Sequence, residues 1–301
     1  MDQFGDVLLI TTADGNILSF SDPDVRLLAY GSLGAPPTQF ITRQGYKQNS
    51  LTELDYLLQP RTITVELWHS PACDRQTYWD IRSELHDFLR PNRGGPLTFT
   101  LRTPNGDLRS IIVRADPGMV FPGSANNNNW NVQESFDFIA FDPTFFDAAS
   151  TTNTLTVDAQ LQLVFPIIFP ITFGSSLVFL STGTITYTGT WKSYPTITLD
   201  GPYTRATIVN TATGVQINLN VAIILGEQRI ITLTPGSQSI VDALGNNQFS
   251  DLGPGSDLID FALLPDPEVA GGIQTITVQL IDGVNGQSAA SIVYANRYFA
   301  L

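Results

Sequence analysis

The residues of this chain that could donate, accept or attack are few and widely spaced. Its 301 residues include two histidines, His69 and His86. His69 closes an alternating apolar and polar stretch. His86 sits beside the apolar stripe of a helical period. An imidazole in such a place is more often solvated or hydrogen-bonded than catalytic. Cys73 is the single cysteine. No base stands beside it in sequence, and the ordinary reading is a small buried residue near a helix start. One thiol makes neither an intrachain disulfide nor a cysteine-based metal site. No Gly-x-Ser-x-Gly elbow, His-Glu-x-x-His pair, phosphate loop or dinucleotide fingerprint occurs. Asp14, Asp22 and Asp24 could approach a cation across a turn, but they lack the spacing of a calcium loop. Asp137, Asp142 and Asp147 could supply a glycosidase pair only if folding brought two of them within roughly 5–10 Å. The expectation is no catalytic residue, no metal site and no cofactor.

Aromatic side chains are the remaining candidates for a ligand. Trp130, Trp191, Tyr194 and Tyr203 could stack on sugar rings, and the competing reading packs them into a core or an interface. The charge sum narrows the partners further. Fifteen Lys and Arg against twenty-eight Asp and Glu give −13. That disfavours nucleic acid, whose phosphates need clustered cations, and equally an anionic membrane surface. With 43% hydrophobic and 14% charged residues, the chain has the composition of a folded protein. The first residues, Met1-Asp2-Gln3-Phe4, carry no basic or apolar leader pattern, and a single thiol suits a reducing cytoplasm.

The elements that would position these groups are mostly strands. Val7–Thr12 and Ile17–Phe20 flank Asp14-Gly15, a hairpin signal. Thr62–Trp68 alternates over a strand length. Leu97–Arg102 and Leu108–Arg114 flank Pro104-Asn105-Gly106-Asp107, a second hairpin. Val132–Phe141 reads as a strand ending at Asp142-Pro143. One helix is predicted, from about Asp74 to Leu89, with Tyr78, Ile81, Leu85, Phe88 and Leu89 on one face of a 3.6-residue period. Ser70 or Asp74 would cap its start, and Pro91, Gly94 and Gly95 would stop it. Asn126–Asn129 reads as a loop.

The polar stretch Asp147–Asn153 marks a boundary near residue 150. Beyond it the pattern predicts strands at 184–190, 196–199, 206–210, 215–220, 229–234, 257–264, 273–281 and 290–299, spaced as in an antiparallel sandwich. Ala159–Trp191 carries no charged side chain. Its length suits a membrane helix, but Pro166, Pro170 and Gly174 would break the ladder repeatedly. It reads as short buried strands, with no membrane insertion.

The order of these segments resembles the distal tail (Dit) proteins of long-tailed phages. The first section, with Thr62–Trp68, Ile81–Leu85, Phe88–Pro91, the hairpin over 97–118 and Phe138–Pro143, is similar to their N-terminal belt domain. The second resembles the C-terminal sandwich of phage tail proteins, through Phe165-Pro166, Phe169-Pro170, Gly189–Trp191, Tyr194-Pro195, Gly201-Pro202, Ile208–Asn210, Thr213-Gly214 and Tyr294–Tyr298. Leu264–Glu268 departs from the Pro-Gly-Asn turn common there, which bears on the shape of that loop.

The resemblance implies a mainly β protein. Residues 1–150 would form a belt domain with one helix, and 151–301 a galectin-like β-sandwich. It implies a non-enzymatic virion protein made in the bacterial cytoplasm and located at the distal end of the tail. Its expected partners are copies of itself in a ring, usually of six, the tail tube protein and the tail-associated central fibre protein. Receptor-binding proteins or host surface glycan are further expected partners. On this reading residues 1–150 would oligomerise alone if they fold. A carbohydrate-binding module using the four aromatics is the alternative, and a wall-degrading hydrolase a more distant one.

Overall fold

The structure is a computed structural model that describes residues 9–19, 25–31, 33–69, 75–90, 95–103, 105–116, 132–156, 158–159 and 178–301. The chain divides into two compact units. One comprises Met1–Ala148 together with Tyr298–Leu301, and the other Ala149–Arg297.

The strands of the first unit are β1 (Leu9–Thr11), β2 (Ile17–Ser19), β3 (Val25–Tyr30), β4 (Thr38–Arg43), β5 (Thr52–Leu58) and β6 (Arg61–His69). After helix α1 (Arg75–Leu89) come β7 (Leu97–Arg102), β8 (Leu108–Ala115), β9 (Val132–Ala140) and β10 (Phe145–Asp147). Seven of them lie in the order β2-β1-β7-β8-β9-β6-β3, and β10 pairs β8. Both expected hairpins form. Ile10 pairs Leu18 across the first, and Phe99 pairs Ile111 across the second. Their turns place Gly15 at φ 85° and Gly106 at φ 92°, values a side-chain-bearing residue adopts only at a cost.

Alternation explains the core. On β6 the buried residues are Arg61, Ile63 and Val65, and on β7 they are Leu97, Phe99 and Leu101. Phe99 meets Phe138 edge to face, with ring centroids 4.5 Å apart, an arrangement favoured by the ring quadrupoles. α1 adds Leu85, Phe88 and Leu89 to the same cluster, while Trp79 stays exposed on it. The side chains of the expected stripe residues Tyr78 and Ile81 lie outside what is described, as do the cap candidates Ser70 and Asp74, Cys73 and Asn126–Asn129.

The second unit is a sandwich. Its strands are β11 (Thr151–Thr156), β12 (Asp158–Ala159), β13 (Val178–Thr186), β14 (Thr196–Asp200), β15 (Arg205–Asn210), β16 (Val215–Leu219), β17 (Gln228–Thr232), β18 (Ser239–Val241), β19 (Ile273–Ile281) and β20 (Ala289–Tyr294). One sheet runs β11-β20-β14-β17-β18 and the other β12-β13-β19-β15-β16. Ile197, Leu199 and Ile231 from the first sheet share one core with Ile208, Ile217, Ile276 and Val278 from the second. Among the described residues this unit has no α-helix, only 3-10 turns at Phe249–Asp251 and Ala270–Gly272. β21 (Arg297–Tyr298) follows.

Three expectations are corrected. The strand foreseen at 184–190 begins at Val178 and ends at Thr186. It stops there because Thr190 and Trp191 donate their backbone N–H groups to the Arg297 carbonyl instead. The strand foreseen at 290–299 is broken after Tyr294. The strand foreseen at 257–264 does not form. Asp257 Oδ1 accepts from the N–H groups of Ile259 and Asp260, closing a turn. Beyond it, the carbonyls of Ala262 and Leu264 accept from the side-chain amides of Asn210 and Gln274. Those amides are fully buried and must be satisfied. The reading of 161–177 as short strands lies outside the described residues.

Leu85 is only 4% exposed. Replacing it with Ala should destabilise the first unit by about 2–5 kcal/mol, measured by denaturant unfolding. A change under about 0.5 kcal/mol would mean that α1 does not seal this core.

Candidate assembly surface

Among the described residues, those singled out for chemistry do not converge. Asp137 on β9 accepts from Thr64 Oγ1 across the sheet at 2.6 Å. Asp142 accepts from Thr144, both N–H and hydroxyl, within its own turn. Asp147 on β10 pairs with the Arg109 guanidinium. Each carboxylate therefore has its own local structural partner. Asp14 accepts from Asn16 Nδ2 at 3.0 Å, an exposed turn contact, while Asp22 and Asp24 lie outside the described residues. His86 is exposed on α1. His69 ends β6, and its side chain is outside what is described. No group of three or more His, Cys, Asp or Glu able to hold a metal occurs among the described residues.

The four aromatic candidates have different fates. Trp130 lies outside the described residues. Tyr203 is a correction. It is 1% exposed and belongs to the core of the second unit, so its ring has no face to offer a sugar. It points inward because its backbone is bridged to Ile223 across the end of the sandwich. Burial raises its hydroxyl pKa well above the ordinary value. Trp191 is half-buried, and its carbonyl accepts the Tyr187 hydroxyl. Tyr194 packs partly against the core, with Lys192 Nζ 6.0 Å from its ring centroid.

The feature that sequence reasoning misses is the hairpin of β4 and β5. Among the described residues these strands pair only with each other. Phe40 faces Tyr56, Gln39 faces Leu57, and a bulge interrupts the register between Ile41 and Thr42. Phe40, Leu54 and Leu57 are each more than half exposed, and Tyr46 at the tip is 94% exposed. The tip itself is well built. Gln48 donates its N–H to the Gly45 carbonyl and accepts from the Gly45 N–H at 2.9 Å. Gln44 Nε2 bonds the Gln48 carbonyl, and Gln48 Nε2 bonds Thr52 Oγ1 at 2.7 Å. The base is tied by Gln59, whose N–H donates to the Pro37 carbonyl at 2.8 Å.

A two-stranded ribbon is marginal in water unless a further layer covers it. This ribbon shows large apolar side chains to solvent, and an exposed edge strand is a template for another chain. The signal that could have found it is the alternation Leu54, Tyr56, Leu58 after the turn-rich stretch 44–50. The geometry suits protein–protein contact.

No family model matches this chain, and no curated protein matches it. Among solved structures, the SPP1 Dit protein, described as a paradigm of the hub adsorption apparatus in phages infecting Gram-positive bacteria, is 14% identical. That match covers 97% of this chain and 99% of its own, with a TM-score of 0.62. A chain of the phage P2 baseplate in its activated conformation with Ca is 10% identical, covering 98% and 99%, at 0.55. The same baseplate with Sr gives 11%, 96% and 97%, at 0.50. At these identities what is shared is the fold, and it is shared over nearly the whole chain.

Replacing Phe40, Leu54 and Leu57 together by Ser should leave the unfolding free energy of the single chain within about 0.5 kcal/mol per site. The same change should abolish self-association in sedimentation. Loss of several kcal/mol with association intact would show these side chains to be core residues instead.

Proposed function

We propose that this chain is a distal tail protein, the subunit of a ring at the lower end of a long-tailed phage or prophage tail. The β4–β5 hairpin carries the reading. It is an apolar ribbon uncovered by the described residues of its own chain, on a fold shared with the SPP1 Dit protein and the phage P2 baseplate chain. A ribbon that must be covered, and that cannot cover itself, favours a heterologous contact. The hairpin of one copy then lies on a different surface of the next. Such contacts close into a ring when the rotation between copies divides a full turn.

The first unit serves as the belt domain that builds the ring, most simply of six copies, and meets the tail tube protein. The second unit, a galectin-like sandwich, serves as the outward domain for receptor-binding proteins or host surface. The central fibre protein of the tail tip is the partner below. The role is structural and located in the virion. Three carboxylates of the first unit support that reading, because each bonds a structural partner: Asp137 accepts from Thr64, Asp142 from Thr144, and Asp147 pairs with Arg109.

Each chain carries −13 formal charges, so copies repel at long range. Salt at ~0.15 M shortens that repulsion to about 8 Å, against about 30 Å at 0.01 M. A particle of six times the 32.9 kDa chain mass is therefore expected in light scattering at ~0.15 M salt and above. It should weaken at very low ionic strength. A chain that stays monomeric at high concentration, even mixed with its tail neighbours, would sink the proposal.

A further inference from the structure

We infer that residues 298–301 are a strap that completes the first unit only after the whole second unit has been made. The assembly consequence rests on the ring reading above: the ring-forming unit becomes competent last. The strap itself rests on independent observations.

Tyr298–Leu301 belong to the first unit although Ala149–Arg297 separate them from the rest of it in sequence. Two arginines hold them. Arg61 is 1% exposed, and its Nη2 donates to the Phe299 carbonyl at 3.1 Å. Its guanidinium carbon lies 4.7 Å from the centroid of the Phe145 ring. Burial lowers its pKa, as expected of a cation taken out of water. Arg109 stacks its guanidinium carbon 3.8 Å over the Tyr298 ring, while pairing with Asp147 and, at 3.3 Å, with Asp107. Tyr298 donates its hydroxyl to Asp147 Oδ2 at 3.4 Å. The strand containing Tyr298 pairs β10, and the Leu301 N–H donates to the Leu33 carbonyl at 3.1 Å.

These contacts are of the kinds whose loss is costly. Without the strap, a buried guanidinium loses an acceptor. A planar cation loses the ring that covers one of its faces. Strand β10 loses a neighbour. The cavity of about 330 Å³ lined by Leu33, Leu101, Arg109, Tyr298, Ala300 and Leu301 loses part of its wall. Residues 1–148 alone are thus an incomplete fold, and the expectation that 1–150 would oligomerise alone is revised. A ribosome adding ~5–20 residues per second takes roughly 8–30 s to pass from residue 148 to residue 298. During that interval the hairpin is present but its unit is unfinished.

The test compares the intact chain with Tyr298→Ala and with the chain shortened to residue 297. Differential scanning calorimetry follows the two units, hydrogen exchange follows β7 and β8, and sedimentation reads the particle mass. Both variants should lower the transition of the first unit by ~5 °C or more, leave that of the second in place, and deplete the ring. A synthetic peptide of residues 295–301, added in excess to the shortened chain, should restore protection in β7 and β8. Should the shortened chain fail to fold at all, Tyr298→Ala and the peptide rescue still decide. Transitions, exchange and mass unchanged from the intact chain would overturn the strap. If instead the intact chain forms no ring while the variants still lose the first transition, the strap stands and the ring reading falls.

Discussion

An antiparallel pair of strands is stable in water only where a second layer hides one of its faces. Most of this chain satisfies that constraint internally. The second unit does so by placing two five-stranded sheets over one core rich in Ile and Leu. The first unit does so with its large sheet and the Leu85, Phe88 and Leu89 stripe of α1. Among the described residues, the β4–β5 hairpin pairs with no further strand and shows large apolar side chains to solvent. Its hydrogen bonds are satisfied along the ribbon and at the tip, so it is a formed element and not a failed one. What it lacks is cover from the described residues.

How much of this was legible beforehand depends on how local each signal is. Asp14-Gly15 and Asn105-Gly106 announced their turns because a glycine at positive φ is required within two residues of the reversal. α1 was legible because its period repeats over fifteen residues. β18, of three residues, is too short to show a period. The stretch 257–264 carried a strand-like composition, yet the side chains of Asn210 and Gln274 reach into it and claim its carbonyls. Those residues lie at a distance in sequence that no window spans. The hairpin was missed for a related reason. Apolar side chains face both sides of it, and the bulge at Ile41 shifts the register, so the alternation blurs where it would have helped.

The candidate ligand residues show the same limit. An aromatic residue near a Gly-Pro pair can face either way, and only pairing with a distant strand decides. Tyr203 faces inward because Ile223 bridges it. The carboxylates were legible as types but not as neighbours. Asp147 meets Arg109 through strand pairing between β8 and β10, and Asp137 meets Thr64 through pairing between β6 and β9. In each case the sequence supplies the charge and the sheet supplies the partner.

Residues 149–297 interrupt the sequence of the first unit, and that has an evolutionary reading. The interruption starts and finishes on neighbouring strands, since Thr151 pairs Tyr294. Paired residues in an antiparallel sheet lie roughly 4.5–5.5 Å apart. A host fold thus sees the whole sandwich as a detour whose two ends nearly touch, the geometry at which domain insertion is best tolerated. Recombination could exchange this cassette for another sandwich, enlarge it, or trim it to a loop, provided the replacement also returns its chain beside its start. The lineage of the first unit and that of the inserted unit need not be the same.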